Sequence, residues 1–349
     1  MINRATSVSE LAQWRGYVVE WHEGDRAILS RGNRLFRVNG VGAAPEYWVS
    51  VPIRWPTVVA LQSRLLQRLF RAMFYNVIPM GGDRLLTGFG RQLSEYDGGS
   101  WSNFSLTRPT RILRNCHAQS PDGRIWFGEY WDNARRGAMN IYCLEPRSQR
   151  CEVVFTFPAG AIYHVHSMTW DPFRQGLICL TGDRAGECRM LISFDGCRSF
   201  EVIGAGNEDW RAVSVVPVTD GWLFATDAEL QQNVIVHVDS NTGARRVLAN
   251  IPGPVYYSKA WGSDVVFSVT AERCKAMPEP RGSLVRVRGE NIEEMVGFAK
   301  DLGPSRLAWR IFLPGTLNFA GGAGHLDYLY VSGVALRGAD NRVFLIRRS

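Results

Sequence analysis

The 349-residue chain has no apolar run approaching the length of a membrane span, which leaves no candidate transmembrane helix. Its first ten residues, Met1-Ile-Asn-Arg-Ala-Thr-Ser-Val-Ser-Glu10, carry no apolar segment after the basic residue, so they do not read as a secretory signal. The expectation is a soluble protein, cytoplasmic or peripheral at the inner face of a membrane. None of the seven cysteines (116, 143, 151, 179, 188, 197 and 274) has a close partner of the Cys-x-x-Cys kind, which argues against a zinc knuckle or a redox dithiol. Several sit inside apolar runs, where a reduced thiol acts as a small hydrophobe. Nor are the basic residues gathered in one block: 40 Lys+Arg against 33 Asp+Glu give +7, without a nucleic-acid-binding motif. Nucleic acid is not expected as a partner. Anionic sugars, phosphorylated carriers or anionic lipid suit the charge better.

What the chain does have is aromatic and glycine content, with 12 Trp, 11 Tyr, 17 Phe and 35 Gly, a composition that suits pleated strands and tight turns. Four short strings end alike: Trp126-Phe-Gly-Glu-Tyr130, Cys179-Leu-Thr-Gly-Asp183, Phe224-Ala-Thr-Asp227 and Ser268-Val-Thr-Ala-Glu272. Their acids recur at spacings of 54, 44 and 45 residues. Between them lies a common grammar, clearest over 164–204, where strands at 164–171, 177–181, 188–193 and 200–203 are separated by turns such as Asp171-Pro172 and Phe194-Asp-Gly-Cys197. Repeats of this period and content predict an all-β, seven-bladed β-propeller of four-stranded antiparallel blades, a single domain over 1–349. The blades start near 17, 74, 116, 164, 211, 255 and 311. In the last of these, Gly321-Gly-Ala-Gly324 reads as a turn and no fourth strand follows 343–348, so residues 1–13 are expected to supply it and remove an exposed edge.

One segment departs from the strand pattern. Over 57–73, apolar residues at 58, 61, 65, 66, 69, 70 and 73 trace a helical stripe, with Arg64, Arg68 and Arg71 off it. This predicts one inserted amphipathic helix packed on the propeller with its arginines in water. The alternative is a docking element for an anionic membrane or a partner protein.

Ser193-Phe-Asp-Gly-Cys-Arg-Ser-Phe200 resembles the Asp-box of sialidase-like, BNR-repeat propellers, with Ser193, Asp195, Gly196, Ser199 and Phe200 matching and Cys197 where glycine is common. In that family the box is a structural hairpin between the third and fourth strands of a blade. The run from Gly128-Glu-Tyr through His164-Val-His, Thr181-Gly-Asp and Trp210-Arg211 to Thr226-Asp is similar to uncharacterised glycosyl-hydrolase-like propellers associated with polysaccharide biosynthesis. The resemblance covers roughly 110–275. It does not extend to sialidase activity: sialidases use six blades, an arginine triad and a Tyr/Glu nucleophilic pair, and three arginines of this chain cannot be placed on that motif.

In a propeller, the second-strand ends and first-strand starts share one face. This assigns Glu129, Tyr130, Asp183, Asp227, Glu272 and His166 as candidate catalytic groups. His117, Asn133, Arg136, His164, Trp210, Arg211, Tyr257 and Arg310 are candidate substrate contacts. Paired carboxylates suit glycoside hydrolysis, whereas Tyr130, Tyr257 or His166 beside an arginine-neutralised carboxylate suits elimination or epimerisation. His164 and His166 lie on one strand face, a geometry able to hold a metal, but no third ligand can be assigned. No metal or cofactor is therefore expected. The reading is a glycoside hydrolase or lyase acting on an acidic polysaccharide or a lipid-linked oligosaccharide. The alternative is a non-catalytic glycan- or protein-binding scaffold in a polysaccharide assembly system.

Overall fold

A computed structural model of the chain describes residues 7–55, 57–145, 150–275, 277–302 and 313–348. Its strands form seven blades of four antiparallel strands, one of which carries a fifth strand, making a seven-bladed β-propeller. The chain packs as two compact units. One runs to Asn103 and resumes over Lys259–Glu272 and from Glu279; the other comprises Phe104–Ser258 and Arg273–Pro278.

The second unit holds blades 3, 4 and 5. In blade 4 the strands are His164–Asp171, Gly176–Gly182, Cys188–Ser193 and Glu201–Gly206. The second of these is buried throughout, because its alternating side chains enter two different cores. Leu177 and Cys179 pack with Trp126, Ile141 and Met168; Ile178 and Leu180 pack with Trp222, Phe224 and Val236. This explains why the sequence shows a continuous apolar run there. At Gly128, an added Cβ would lie 2.3 Å from Val165, so the inner strands of blades 3 and 4 can approach only over glycine. The hairpin after Ser193 is organised by Asp195, whose carboxylate accepts from Arg198 N (2.9 Å), Ser199 N (3.0 Å) and Ser199 Oγ (2.6 Å). Cys197 has a left-handed φ of 71°, the conformation that makes glycine common at such a place.

The first unit contains blades 1, 2 and 7. Blade 7 takes its outer strand from Ser7–Glu10, paired antiparallel with Val343–Arg347, as expected for the start of the chain. Gly321–Gly324 is a strand and not the expected turn: it adds to blade 1 in parallel beside Val18–Glu23, making that sheet five-stranded. A second difference lies in the insertion, which forms two short helices, α1 (Thr57–Ala60) and α2 (Arg64–Phe70). Ser63 caps α2 by accepting from Leu66 N at 3.1 Å, and this cap starts a new helix where the stripe predicted continuity. The arginines also do not all face water. Arg68 is buried against Asp301, and Arg64 makes a two-pronged pair with Asp340 at 3.1 and 3.0 Å.

Candidate functional site

Blade 4 builds the centre of the site by a local irregularity. Val165 pairs with Thr181 and Ser167 with Leu180, so His166 is an extra residue bulged out of the ladder. Bulges of this kind re-aim a side chain. The neighbouring strand ends at Gly182, where an added Cβ would come within 3.0 Å of His166 Cε1. Asp183 follows and turns back onto both histidines: Oδ2 lies 3.2 Å from His164 Nε2 and Oδ1 lies 3.1 Å from His166 Nε2. The Thr-Gly-Asp string thus joins the His-x-His string, and Tyr130 covers them with its ring centroid 4.1 Å from that of His164.

Arg211 is the second organising group. It follows the 3₁₀ turn Glu208–Trp210, and its guanidinium meets Asp183 (3.4 Å), Asp227 (3.3 Å), Glu229 (3.2 Å) and Glu208 (3.8 Å). Burial opposes its charge, but the fields of Asp227, Asp183 and Glu229 more than offset this and raise its pKa. Burial likewise works against an ionised Asp183, yet its bonds with His164 and His166 hold the carboxyl far below the usual range. The two histidines diverge. Burial lowers His164 despite Asp183, whereas for His166 burial is outweighed by Asp183 and the pKa is raised.

Asp183 and Arg211 open into a pocket of about 590 Å³ that is also lined by Arg136, Tyr163, Arg184 and Glu229. Arg136 pairs with Glu187 at 2.6 Å and lies over the Tyr163 ring at 4.3 Å. The Tyr163 hydroxyl donates to Asp132, and that bond, more than burial, pushes its pKa up to about 12. A phenol so held is a poor base.

The other expected site residues separate into distinct roles. Glu129 is fully buried and faces inward, accepting from Thr107 Oγ1 (3.0 Å), Tyr142 Oη (3.0 Å) and Asn140 N (3.1 Å). The Asn133 amide closes its own loop, donating to Gly137 O and accepting from Gly137 N. Trp210 is a packing residue: it covers Gly204, where a Cβ would sit 2.2 Å from its ring, and stacks on Phe224. His117, pushed down to about 4 by burial, lies outside the His164–His166–Asp183 group. Tyr257 lies in the strand Val255–Trp261 beside Tyr256, with the two ring centroids 6.2 Å apart. Glu272 belongs to the first unit, and Arg310 lies outside the described residues. Sequence reasoning missed Glu208, Glu229 and Tyr163; the acid pair after Asn207, a 3₁₀ N-cap, was the one readable signal.

Fold and site together define a seven-bladed β-propeller in which Asp183, Glu208, Glu229 and Arg211 line one pocket, with His164 and His166 against Asp183 and Asp227 against Arg211. No protein-family model matches the chain, and no curated protein matches it. Solved structures similar to it include an oligogalacturonate lyase from Vibrio parahaemolyticus, with 9% identity and a TM-score of 0.63 over 99% of this chain and 94% of that one. Another is an oligogalacturonate lyase in complex with manganese, with 9% identity and a TM-score of 0.62, covering 99% and 93%. A third is YCF48 bound to D1 peptide, with 12% identity and a TM-score of 0.58, covering 100% and 97%. At such identities the likeness establishes the fold alone.

Proposed function

We propose that the chain is a carbohydrate-active enzyme that cleaves an acidic oligosaccharide in the Asp183–Arg211 pocket, by elimination and not by hydrolysis. The observation that carries this reading is a pocket of about 590 Å³ lined by Asp183, Arg211 and Arg136, with His164 and His166 against Asp183 and Tyr130 packed on His164. Hydrolysis needs one carboxyl kept neutral as a general acid. Asp183 is held in the opposite state, and Glu129 points into its blade. Elimination needs a base that takes the proton beside the uronate carboxylate, after which the glycosidic oxygen leaves and a carbon–carbon double bond forms. Tyr130, packed on His164, is the assigned base. The oligogalacturonate lyases of the same fold support the substrate class at the level of fold only.

Incubation with a panel of uronate-containing oligosaccharides tests this. Unsaturated, ultraviolet-absorbing ends should appear, and Tyr130→Phe and Asp183→Asn should abolish them without unfolding the chain. New reducing ends without that absorbance would establish hydrolysis instead. Binding without cleavage would favour the scaffold alternative.

A second reading concerns the helical insertion. We propose that it contacts an anionic membrane surface, because Trp55, Val58, Leu65, Leu69 and Phe70 are exposed. Beside them is a pocket lined by Ile53, Phe70 and Phe89 together with Arg54, Arg71 and Arg91.

A further inference from the structure

The expectation of no metal rested on the lack of a third ligand for His164 and His166, and Asp183 now occupies that position. One ligand atom from each residue lies within 4.8 Å of the others, a spread that a single ion can bridge.

The two histidines turn the same ring nitrogen to Asp183. His166 Nδ1 is 2.8 Å from Ala212 O. A carbonyl only accepts, so Nδ1 carries a proton and Nε2 is the nitrogen that faces Asp183 Oδ1, 3.1 Å away. His164 is 4% exposed, and its Nε2 stands 3.2 Å from Asp183 Oδ2. Both Nε2 atoms and the carboxylate thus converge on one point, where a single cation can take all three groups as ligands. The anchoring of His166 through its other nitrogen to a backbone carbonyl is also the outer-shell arrangement typical of metal-bound histidine.

The surrounding charge agrees. Arg211 contacts Asp183 and is shared with Asp227, Glu229 and Glu208. One guanidinium thus serves four carboxylates, and this inner group holds more acids than arginines, surroundings that favour a bound cation.

We propose that His164 Nε2, His166 Nε2 and Asp183 bind one divalent transition-metal ion. Two imidazoles and one carboxylate suit a first-row ion of borderline softness better than calcium or magnesium, which prefer all-oxygen sites. Three protein ligands, of which Asp183 lines the pocket, leave coordination positions for water or an anionic ligand, unlike a four-ligand structural site. The inference stands on the cluster's own geometry and does not depend on the glycan reading.

Titration with cobalt(II), followed by its visible d–d spectrum, tests it. One ion per chain is expected, with N/O-type bands, without thiolate charge transfer, and displaced by one equivalent of zinc. His164→Gln and Asp183→Asn should each weaken binding by more than the ~10–100-fold typical of losing an outer-shell partner. Far-UV circular dichroism of the metal-free variants confirms that they fold. The proposal is overturned if wild-type protein binds no cobalt, if thiolate bands dominate, or if folded variants bind as tightly as wild type. Absence of lyase activity in a chain that binds cobalt in this way would count against the proposed function and not against the metal site.

Discussion

Glu129 and Asp183 occupy one position in successive repeats, the residue just after the second strand, and their surroundings give them opposite uses. Asp183 follows a glycine that leaves room for a bulged histidine and lies at the pocket. Glu129 turns inward, where Thr107, Tyr142 and Asn140 donate to it. Glu129→Gln puts an amide NH₂ among donors, and one buried partner must go unmet. The expected loss is ~1–3 kcal/mol of unfolding free energy, measured by denaturant titration, with turnover per folded molecule unchanged. A folded Glu129→Gln protein without turnover would return Glu129 to the catalytic set. The residue types and their repeat were legible in the sequence, as was the meeting of Asp183, Asp227 and Arg211. The direction of each side chain was not. It depends on a bulge at His166 and on donors at 107 and 140–142, which no spacing rule encodes. Trp210 shows the same limit, since its role is set by Gly204, six residues earlier on the last strand of blade 4.

At the scale of elements, the helical insertion reverses its own pattern. The stripe of apolar residues promised a buried face, yet Leu65 and Phe70 are 49% and 62% exposed while Arg68 is 4% exposed. Periodicity reports that a helix has two faces and not which face packs; here ion pairs to Asp340 and Asp301 decide it. The result is a helix held by its arginines, with its hydrophobes facing outward. Isolated exposed hydrophobes are ordinary, but Trp55, Val58, Leu65, Leu69 and Phe70 within sixteen residues, beside Arg54 and Arg91, form the composition of an interfacial anchor. Co-sedimentation with phosphatidylglycerol-rich vesicles is expected, weak with phosphatidylcholine alone and reduced by salt. The double change Leu65→Ser and Phe70→Ser should abolish it while leaving thermal stability within about 1 kcal/mol, because neither side chain is buried. Binding that survives this change, or its absence on anionic vesicles, would count against the membrane reading.

For the molecule as a whole, the first described residues matter beyond their number. Ser7–Glu10 forms the outer strand of blade 7, in register with the antiparallel partner Val343–Arg347. Leu11 N continues the connection to Val343 O at 2.9 Å, and Leu11 and Trp14 enter a core with Val19, Tyr330, Val343 and Leu345. Glu10 adds ion pairs with Arg15 and Arg342, both at 2.9 Å, but these are partly exposed and contribute ~0–1 kcal/mol each. Ladder pairing and shielding of the Val-Phe-Leu-Ile edge must therefore dominate, and two variants separate the effects. Glu10→Ala should cost no more than ~1 kcal/mol. Removing residues 1–10 strips the outer strand and uncovers Val343–Arg347, an apolar β-rich edge of the kind that recruits other chains. Its expected outcome is a drop in melting temperature well beyond that of Glu10→Ala, together with concentration-dependent association seen by light scattering. A truncated chain that stays monomeric and melts like the full protein would mean that blade 7 is stable with three strands and that the N-terminal pairing is incidental to the fold.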